Sequence, residues 1–252
     1  MLSRAVLITG ASRGLGLEFV KQLYISNGNK PGKQKPTLIL ATCRNPDDAV
    51  ELQEIREASQ KTVVIMQLDV DDFSTYSNFV KDIQPLVENT GISCLINNAG
   101  ISPKSTKYTM VKCEQMEATY KTNAIAPLLF SREMLPFLKK AADNNGGLGS
   151  LIVNMSSILG SVELNDGGGV YPYRSSKTAL NMITRSLSLD LKHLNIKTVA
   201  IHPGWVKTDM GGRNAPLTTE QSITGVLNVL RNFNSEIHNG KLVDYKGEIL
   251  PF

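Results

Sequence analysis

Short apolar runs alternate with longer amphipathic segments from one end of the chain to the other. Seven runs predict β-strands, at residues 5–9, 37–42, 63–68, 94–97, 151–155, 198–202 and 241–245. The first six are almost wholly apolar, as is typical of parallel strands covered on both faces. Helical periodicity occupies the intervals, at residues 14–26, 46–58, 73–88, 114–139, 173–193 and 219–233. This alternation predicts an α/β fold, a single doubly wound domain over residues 1–252 with a seven-stranded, mostly parallel sheet flanked by helices.

Residues at the predicted helix ends agree with this division. Asn45 followed by Pro46 predicts an N-cap and the first position of a helix. Thr218 and Gln221 have the spacing of a capping box, which predicts the start of the last helix. Residues 27–36 contain several lysines and predict a solvated loop.

The composition narrows the class of protein. The net charge is only +4 and the basic residues are scattered, which argues against nucleic acid as a partner. No run of about eighteen apolar residues occurs, so no membrane span is predicted, and the first residues do not predict a secretory signal. Cys43, Cys94 and Cys113 lack the spacing of a disulfide framework or a metal site, which favours a reduced, cytoplasmic setting.

A glycine-rich segment follows the first predicted strand directly and opens the first helix. It reads Thr-Gly-Ala-Ser-Arg-Gly-Leu-Gly over residues 9–16. Gly10 permits a tight turn, Gly14 lets the backbone approach a pyrophosphate, and Gly16 lets the helix pack closely on the sheet. The helix N-terminus then offers free N–H groups and a positive dipole to phosphates. Three glycines alone are weak evidence, but their place after the first strand favours a dinucleotide site on a Rossmann-type domain.

The end of the second strand distinguishes between nicotinamide cofactors. A carboxylate there would bind the ribose 2′-hydroxyl of NAD and repel a 2′-phosphate, whereas residues 41–44 read Ala-Thr-Cys-Arg. The guanidinium groups of Arg44 and Arg13 suit a 2′-phosphate. The alternative is that both arginines are ordinary surface residues. The sequence therefore favours NADPH over NADH.

Two further segments lie at predicted strand ends. Asp69 follows the third strand, and it is equally compatible with accepting a hydrogen bond from adenine and with capping a helix. Residues 97–100, Asn-Asn-Ala-Gly, follow the fourth strand, where their polar side chains could tie neighbouring turns together. A purely structural role fits this second segment as well as a cofactor contact.

The candidate chemistry lies at the start of the fifth predicted helix. Tyr173 and Lys177 are four residues apart and share one helix face. A lysine ammonium beside the phenol would stabilise the phenolate, so that the pair could exchange a proton with a carbonyl or alcohol oxygen. Ser157 ends the fifth strand, where its hydroxyl could bond the same oxygen. Ser156 is the competing candidate for that role.

Pro127 draws attention to Asn123 within the fourth helical segment. Proline lacks an N–H group, so Pro127 cannot bond the carbonyl of Asn123. A free carbonyl in the interior needs a partner, and a water molecule there could link to Lys177 as a proton path. An ordinary proline kink is the equal alternative.

The segment after the sixth strand predicts the substrate end of the site. Pro203 and Gly204 turn the chain over the carboxyl edge of the sheet and open a predicted substrate-loop region at residues 203–218. Within it, residues 211–216 predict a mobile substrate lid that leads into the last helix. Val206 and Thr208 in this loop would hold the nicotinamide amide. His202, just before it, is interpreted as a packed or capping residue with no catalytic role.

Together these residues resemble the short-chain dehydrogenase/reductase family over nearly the whole chain. The matching segments are residues 9–16, residues 97–100, Asn123, Ser157, Tyr173 with Lys177, and Pro203-Gly204. Residues 41–46, 154–161 and 202–212 are most similar to the sniffer-type carbonyl reductases of animals. The interval between Ser157 and Tyr173 is longer than in most relatives, and residues 165–169 hold the surplus, which affects the substrate pocket rather than the chemistry.

The resemblance implies a catalytic tetrad of Asn123, Ser157, Tyr173 and Lys177, and it is the basis for choosing Ser157 over Ser156. A cytoplasmic location and a homodimer are implied in the same way. The predicted cofactor contacts are Gly10, Ser12, Arg13, Gly14, Leu15, Gly16, Arg44, Asp69, Val70, Asn98, Ala99, Gly100, Tyr173, Lys177, Pro203, Gly204, Val206 and Thr208.

The sequence thus predicts NADPH-dependent reduction of a small-molecule carbonyl compound, such as a reactive aldehyde, ketone or quinone, with Tyr173 as general acid. Neither nucleic acid nor a membrane is expected as a partner. One rival is an NADPH-binding sensor or scaffold without turnover, which would not need the Tyr–Lys pair. Another is an NADP-dependent alcohol or steroid dehydrogenase that works oxidatively. The substrate pocket is expected between residues 101–110, 158–171 and 205–216.

Overall fold

A mostly parallel sheet runs through the centre of the molecule. The computed structural model describes residues 2–25, 36–103 and 107–252, and within them the sheet has eight strands in the order β3-β2-β1-β4-β5-β6-β7-β8. The strands are β1 (Ala5–Ile8), β2 (Leu38–Cys43), β3 (Val63–Gln67), β4 (Ile92–Asn97), β5 (Ser150–Met155), β6 (Ile196–His202), β7 (Leu242–Asp244) and β8 (Ile249–Leu250). The strand order reverses between β1 and β4, which confirms the predicted doubly wound α/β fold.

The predicted number of strands is wrong by one. Strand β8 pairs with β7 in the antiparallel direction, with Leu242 opposite Leu250. The chain reverses between them because the Asp244 carboxylate accepts hydrogen bonds from the N–H groups of Lys246 and Glu248, both at 2.9 Å. A strand of two residues is too short to show the alternation from which strands are recognised.

Helices cover both faces of this sheet. They are α1 (Gly14–Ile25), α2 (Val50–Ala58), α3 (Tyr76–Val87), α4 (Cys113–Tyr120), α5 (Ala126–Glu133), α6 (Leu135–Asn144), α7 (Tyr171–Asp190), α8 (Thr219–Arg231) and α9 (Ser235–His238). Short 3-10 turns occupy Phe73–Thr75, Tyr108–Met110, Ile158–Gly160 and Lys192–Leu194. Among the described residues, no helix has the length and apolar character needed to cross a membrane, and no group of three metal-ligating side chains occurs.

The single helix predicted for residues 114–139 is wrong. Helix α4 is followed by a π-helical turn at Lys121–Ile125, in which the N–H of Ala126 bonds the carbonyl of Lys121. Helix α5 then begins with Pro127 in its first turn, where the missing N–H is tolerated. The π turn absorbs the break that a proline would otherwise force on a continuous helix.

The predicted start of the second helix is also wrong, whereas that of the last helix is confirmed. Asn45 donates from its side chain to Asp48 at 3.3 Å, and helix α2 begins only at Val50. Thr218 and Gln221 form the expected capping box, with bonds of 3.1 and 3.0 Å. The predicted solvated loop at residues 27–36 lies, apart from Pro36, outside the described residues.

Alternating strand residues supply two apolar clusters, one on each face of the sheet. Val6 and Ile8 of β1 pack with residues of α1, α2 and α8, while Leu7 points to the opposite cluster with residues of α3, α5 and α6. Helix α7 packs against β6 with a more polar face. Lys177 and Asn181 on that face are almost fully buried, so this helix brings polar groups into the interior next to the carboxyl ends of the strands.

Candidate active site

A cleft of about 930 Å³ opens at the carboxyl ends of the central strands, where the strand order reverses. Ligands bind at this position in open α/β sheets. Every predicted catalytic or cofactor residue lines the cleft except Gly16 and Asn123. The structure therefore brings together segments that are far apart in the sequence.

The turn after β1 packs tightly against the end of β4. Gly10 has a φ of +66°, and a Cβ on it would lie 3.0 Å from the Cα of Ala99. The side-chain amide of Asn98 donates to the carbonyls of Thr9 and Gly10, at 2.9 and 3.1 Å. A Cβ on Gly16 would overlap the Gly10 carbonyl oxygen, which explains why Gly16 lies behind the cleft rather than in its wall.

At Gly10 and Gly14 the turn presents backbone to the cleft, while Ser12, Arg13 and Leu15 contribute side chains to its wall. Gly14, the first residue of α1, faces the cleft, and no acidic residue occupies the first turn of this helix. Backbone N–H groups at a helix N-terminus bind phosphate. The turn therefore fits the pyrophosphate of a dinucleotide, and Asn98 fulfils the structural role that the sequence left open.

Arg13 and Arg44 both line the cleft with exposed side chains. Arg44 lies at the end of β2, where no carboxylate is present. Arg13 forms an ion pair with Asp209, in which Nη1 lies 2.5 Å from Oδ2. The sequence did not predict this pair, since its two members are 196 positions apart.

Asp69 and Val70 line the cleft beyond the end of β3. The Asp69 carboxylate accepts a hydrogen bond from the N–H of Asp71 at 3.0 Å, whereas the cap of the following 3-10 turn is Asp72. Asp69 thus closes its own turn instead of capping a helix. Tyr76, missed by the sequence reasoning, donates to the Val70 carbonyl at 2.6 Å and holds this turn against α3.

Tyr173, Lys177 and Ser157 meet at the other end of the cleft. The ammonium of Lys177 lies 5.6 Å from the centre of the Tyr173 ring and donates to the carbonyl of Met155 at 2.7 Å. Ser157 forms a hydrogen bond with the Tyr173 hydroxyl. Ser156 instead donates to the Asn181 side chain at 2.6 Å and is buried by that contact. The geometry thus supports Ser157 over Ser156.

Burial sets the protonation of the Tyr–Lys pair. It raises the pKa of Tyr173 to about 12, with the hydrogen bond to Ser157 acting in the opposite direction. It lowers the pKa of Lys177 to about 8. Both shifts favour the neutral forms, because charge is costly in a poorly solvated site. At neutral pH the tyrosine therefore retains its proton and the lysine remains mostly charged.

Asn123 lies behind the cleft in the π turn and is fully buried. Its side-chain amide donates to the Ile101 carbonyl at 2.9 Å and to the Ser176 hydroxyl at 3.0 Å, and its oxygen accepts from the Ile101 N–H at 2.9 Å. Asn123 thus joins the segment after β4 to α7, the helix that carries Tyr173. A π turn often marks such a functional position.

The substrate loop at residues 203–218 closes on itself across the mouth of the cleft. The N–H of Lys207 bonds the Leu217 carbonyl at 2.8 Å, and the Trp205 indole donates to the Gly211 carbonyl at 2.7 Å. His202, immediately before the loop, has a buried Nδ1 without a hydrogen-bond partner. Burial lowers its pKa to about 4, although the nearby Asp244 acts in the opposite direction.

The connection between β5 and α7 forms the remaining wall. Gly160 packs directly on Lys177, since a Cβ there would lie 2.8 Å from the lysine carbonyl carbon. Val170, the residue before α7, adopts a left-handed conformation with a φ of +47° and lines the cleft. Arg174 donates to the Gly168 carbonyl at 3.0 Å and fastens the exposed residues 165–168 to the helix.

Comparison with known proteins shows which family the chain belongs to. The family model described as short chain dehydrogenase matches residues 4–217. The chain belongs to the short-chain dehydrogenase family. It is therefore related to oxidoreductases, and the resemblance read from the sequence is confirmed.

Solved structures of this family superpose closely on the chain. The carbonyl reductase Sniffer of D. melanogaster is 40% identical, with a TM-score of 0.93 and coverage of 100% of both chains. An NADPH-bound carbonyl reductase from chicken fatty liver is 37% identical, with a TM-score of 0.91 and the same coverage. The C-signal protein of Myxococcus xanthus is 40% identical over 161 residues, which are 64% of this chain and 93% of that protein.

Proposed function

We propose that this chain is an NADPH-dependent carbonyl reductase. The observation that carries the proposal is the meeting of Ser157, Tyr173 and Lys177 in the same cleft as the glycine turn after β1. A carbonyl group placed beside Tyr173 would find two hydroxyl groups for its oxygen and a charged lysine behind them. This arrangement suits a reaction in which negative charge develops on that oxygen.

Two observations support NADPH as the cofactor. The end of β2 has no carboxylate that would repel a 2′-phosphate, and Arg44 and Arg13 line the cleft nearby. The structural relatives include carbonyl reductases with bound NADPH or NADP. The glycine turn, Val206 and Thr208 would hold the cofactor along the cleft. When bound, NADPH would supply the hydride that the carbonyl carbon accepts.

Residues of the chain orient the substrate, donate the proton and stabilise the charge that remains. Ser157 and Tyr173 orient and polarise the carbonyl oxygen, and Tyr173 donates the proton that completes the alcohol. Lys177, held by the Met155 carbonyl, stabilises the phenolate that remains. Asn123 keeps α7 in register with the segment after β4 and so fixes the position of Tyr173.

Exposed apolar side chains of the cleft favour carbonyl compounds with apolar substituents. Ile101, Trp205 and Met210 line the mouth of the cleft and are substantially exposed. Apolar pocket walls with a few fixed polar groups are typical of small-molecule sites. We therefore propose reactive aldehydes, ketones and quinones as substrates.

The decisive experiment follows the oxidation of NADPH by the purified protein with a panel of quinones, aldehydes and ketones, with NADH in parallel. Turnover with NADPH and much less with NADH is the expected result. Tight NADPH binding without turnover across the panel would favour the sensor. Turnover of a steroid or another alcohol with NADP⁺, when no member of the carbonyl panel is reduced, would favour the alcohol or steroid dehydrogenase. Failure to bind NADPH would refute the proposal.

The homodimer and the cytoplasmic location stay predictions from the family resemblance. Analytical ultracentrifugation of the purified chain tests the dimer, and imaging of the tagged chain in cells tests the location. Neither result bears on the chemistry at Tyr173.

A further inference from the structure

The ion pair between Arg13 and Asp209 joins two sides of the cleft. Arg13 belongs to the glycine turn after β1, and Asp209 belongs to the substrate loop. Both side chains line the cleft, and they are 74% and 79% exposed. An exposed pair of this kind contributes little to stability. It can therefore be exchanged for a stronger interaction at small cost.

The substrate loop around Asp209 keeps its shape through contacts of its own. The Trp205 indole donates to the Gly211 carbonyl, and the N–H of Gly211 bonds the Thr208 hydroxyl at 3.1 Å. At its base, the N–H of Leu217 bonds the carbonyl of Trp205 at 3.2 Å. These bonds do not involve Arg13. The loop therefore keeps its internal hydrogen bonds when the Arg13–Asp209 pair opens.

We propose that Asp209 is a specificity-determining residue that competes with the 2′-phosphate of the cofactor for Arg13. The inference rests on the NADPH preference of the proposed function. A phosphate monoester carries more negative charge than a carboxylate and offers three acceptor oxygens to the guanidinium. It therefore displaces Asp209 and releases the substrate loop. A cofactor without the phosphate leaves the pair in place.

The cleft provides a matched control for the loss of one negative charge. Glu18 also lines the cleft, but its carboxylate accepts a hydrogen bond from Gln22 at 2.8 Å, within α1. The substitution Glu18→Gln removes the same charge as Asp209→Asn and leaves the Arg13–Asp209 pair intact. A comparison of the two variants separates direct competition for Arg13 from a general change in the electrostatic potential of the cleft.

Calorimetric titration with NADP⁺ and NAD⁺ tests the competition. Asp209→Asn should bind NADP⁺ about two- to fivefold more tightly, as expected for the loss of an exposed ion pair, with unchanged affinity for NAD⁺. Glu18→Gln should show a smaller gain. In an Arg13→Gln background, Asp209→Asn should give no gain, because the contested guanidinium is gone. Equal weakening of both cofactors by Asp209→Asn would overturn the proposal, since Asp209 would then help to retain any dinucleotide.

Tryptophan fluorescence tests the release of the loop. Trp205 is the single tryptophan of the chain and lies in the loop itself. Saturating NADP⁺ should shift its emission more than saturating NAD⁺, because the nicotinamide is common to both cofactors. Asp209→Asn without cofactor should already show the shifted emission, whereas Glu18→Gln should not. Identical spectra with the two cofactors would refute the proposed release of the substrate loop. Wild-type protein that binds neither cofactor, or both equally, would instead refute the proposed NADPH preference.

Discussion

The two connections that form the cleft are built in opposite ways. The turn between β1 and α1 is short and presents backbone, since its glycines leave no room for a Cβ against Ala99 and the Gly10 carbonyl. The connection between β5 and α7 is longer and leads to the side chains of Tyr173 and Lys177, whose pKa values are shifted by burial. At its glycines the first connection offers backbone to a ligand, whereas the second offers buried side chains.

This difference teaches that binding and chemistry depend on separate parts of the cleft. Added bulk in the turn after β1 should weaken cofactor binding, whereas loss of the Tyr173 hydroxyl should reduce turnover with little effect on binding. The four predictions that follow test this separation, beginning with the largest effect.

Replacement of Tyr173 by phenylalanine removes the proposed proton donor. We expect the turnover number to fall by about 10²- to 10⁴-fold, the usual contribution of general acid catalysis. The dissociation constant for NADPH should stay within about twofold, because the ring remains in place. Tyr171→Phe is the matched control, since Tyr171 lies on the same helix with an exposed side chain. Full activity in Tyr173→Phe would contradict the assignment of the acid.

Replacement of Gly16 by alanine should show the opposite pattern. The new Cβ would overlap the Gly10 carbonyl oxygen, and overpacking of this kind costs about 1–3 kcal/mol. We expect weaker NADPH binding and a lower midpoint of denaturation, with the turnover number at saturation much less affected.

Gly168→Ala is the control from the second connection. No atom lies within 4 Å of a Cβ at Gly168, although its φ is +59°. This change should cost only the backbone strain of about 1–2 kcal/mol and should not alter cofactor affinity. Equal loss of affinity in both variants would show that the two connections are not separable.

The pH dependence of reduction should report the environment of Lys177. Its pKa is lowered to about 8, and that of Tyr173 is raised to about 12. Below about pH 8 the ammonium is charged and supports proton donation by the still-protonated tyrosine. As the pH rises through the lysine pKa, kcat/KM for the carbonyl substrate should decline about tenfold per unit. Lys177→Arg keeps its charge throughout this range and should lose the inflection, whatever its absolute rate.

Val170→Gly should give the smallest effect. It should raise the free energy of unfolding, whereas Gly16→Ala should lower it. Val170 has a φ of +47°, which is unfavourable for a β-branched residue. Glycine relieves this strain but adds conformational entropy to the unfolded chain, so we expect a net gain of up to about 1 kcal/mol in the free energy of unfolding. Val162, an exposed residue of the same connection whose φ is not positive, should lose stability on replacement by glycine. Urea denaturation of both variants distinguishes strain from a general effect of glycine.

The sequence was enough to predict those parts of the fold that a single local pattern identifies. Glycine spacing located the turn after β1, and continuous apolar runs located the parallel strands. The π turn before Pro127 was missed because one extra residue in a helical turn hardly alters a 3.6-residue period. Strand β8 was too short to show a pattern. The Arg13–Asp209 pair joins residues 196 positions apart, so it depends on which elements pack together, and no local signal carries that information.

The pairing of β1 with β4 has a consequence for the order in which the molecule can fold. The N–H of Asn98 bonds the Thr9 hydroxyl across 89 positions of sequence, so the turn after β1 cannot be completed on the ribosome until β4 has emerged. Strand β5, whose residues are all buried, gains its second neighbour only when β6 has followed. A nascent chain that ends between them exposes an apolar strand edge, which is where premature association with other chains begins.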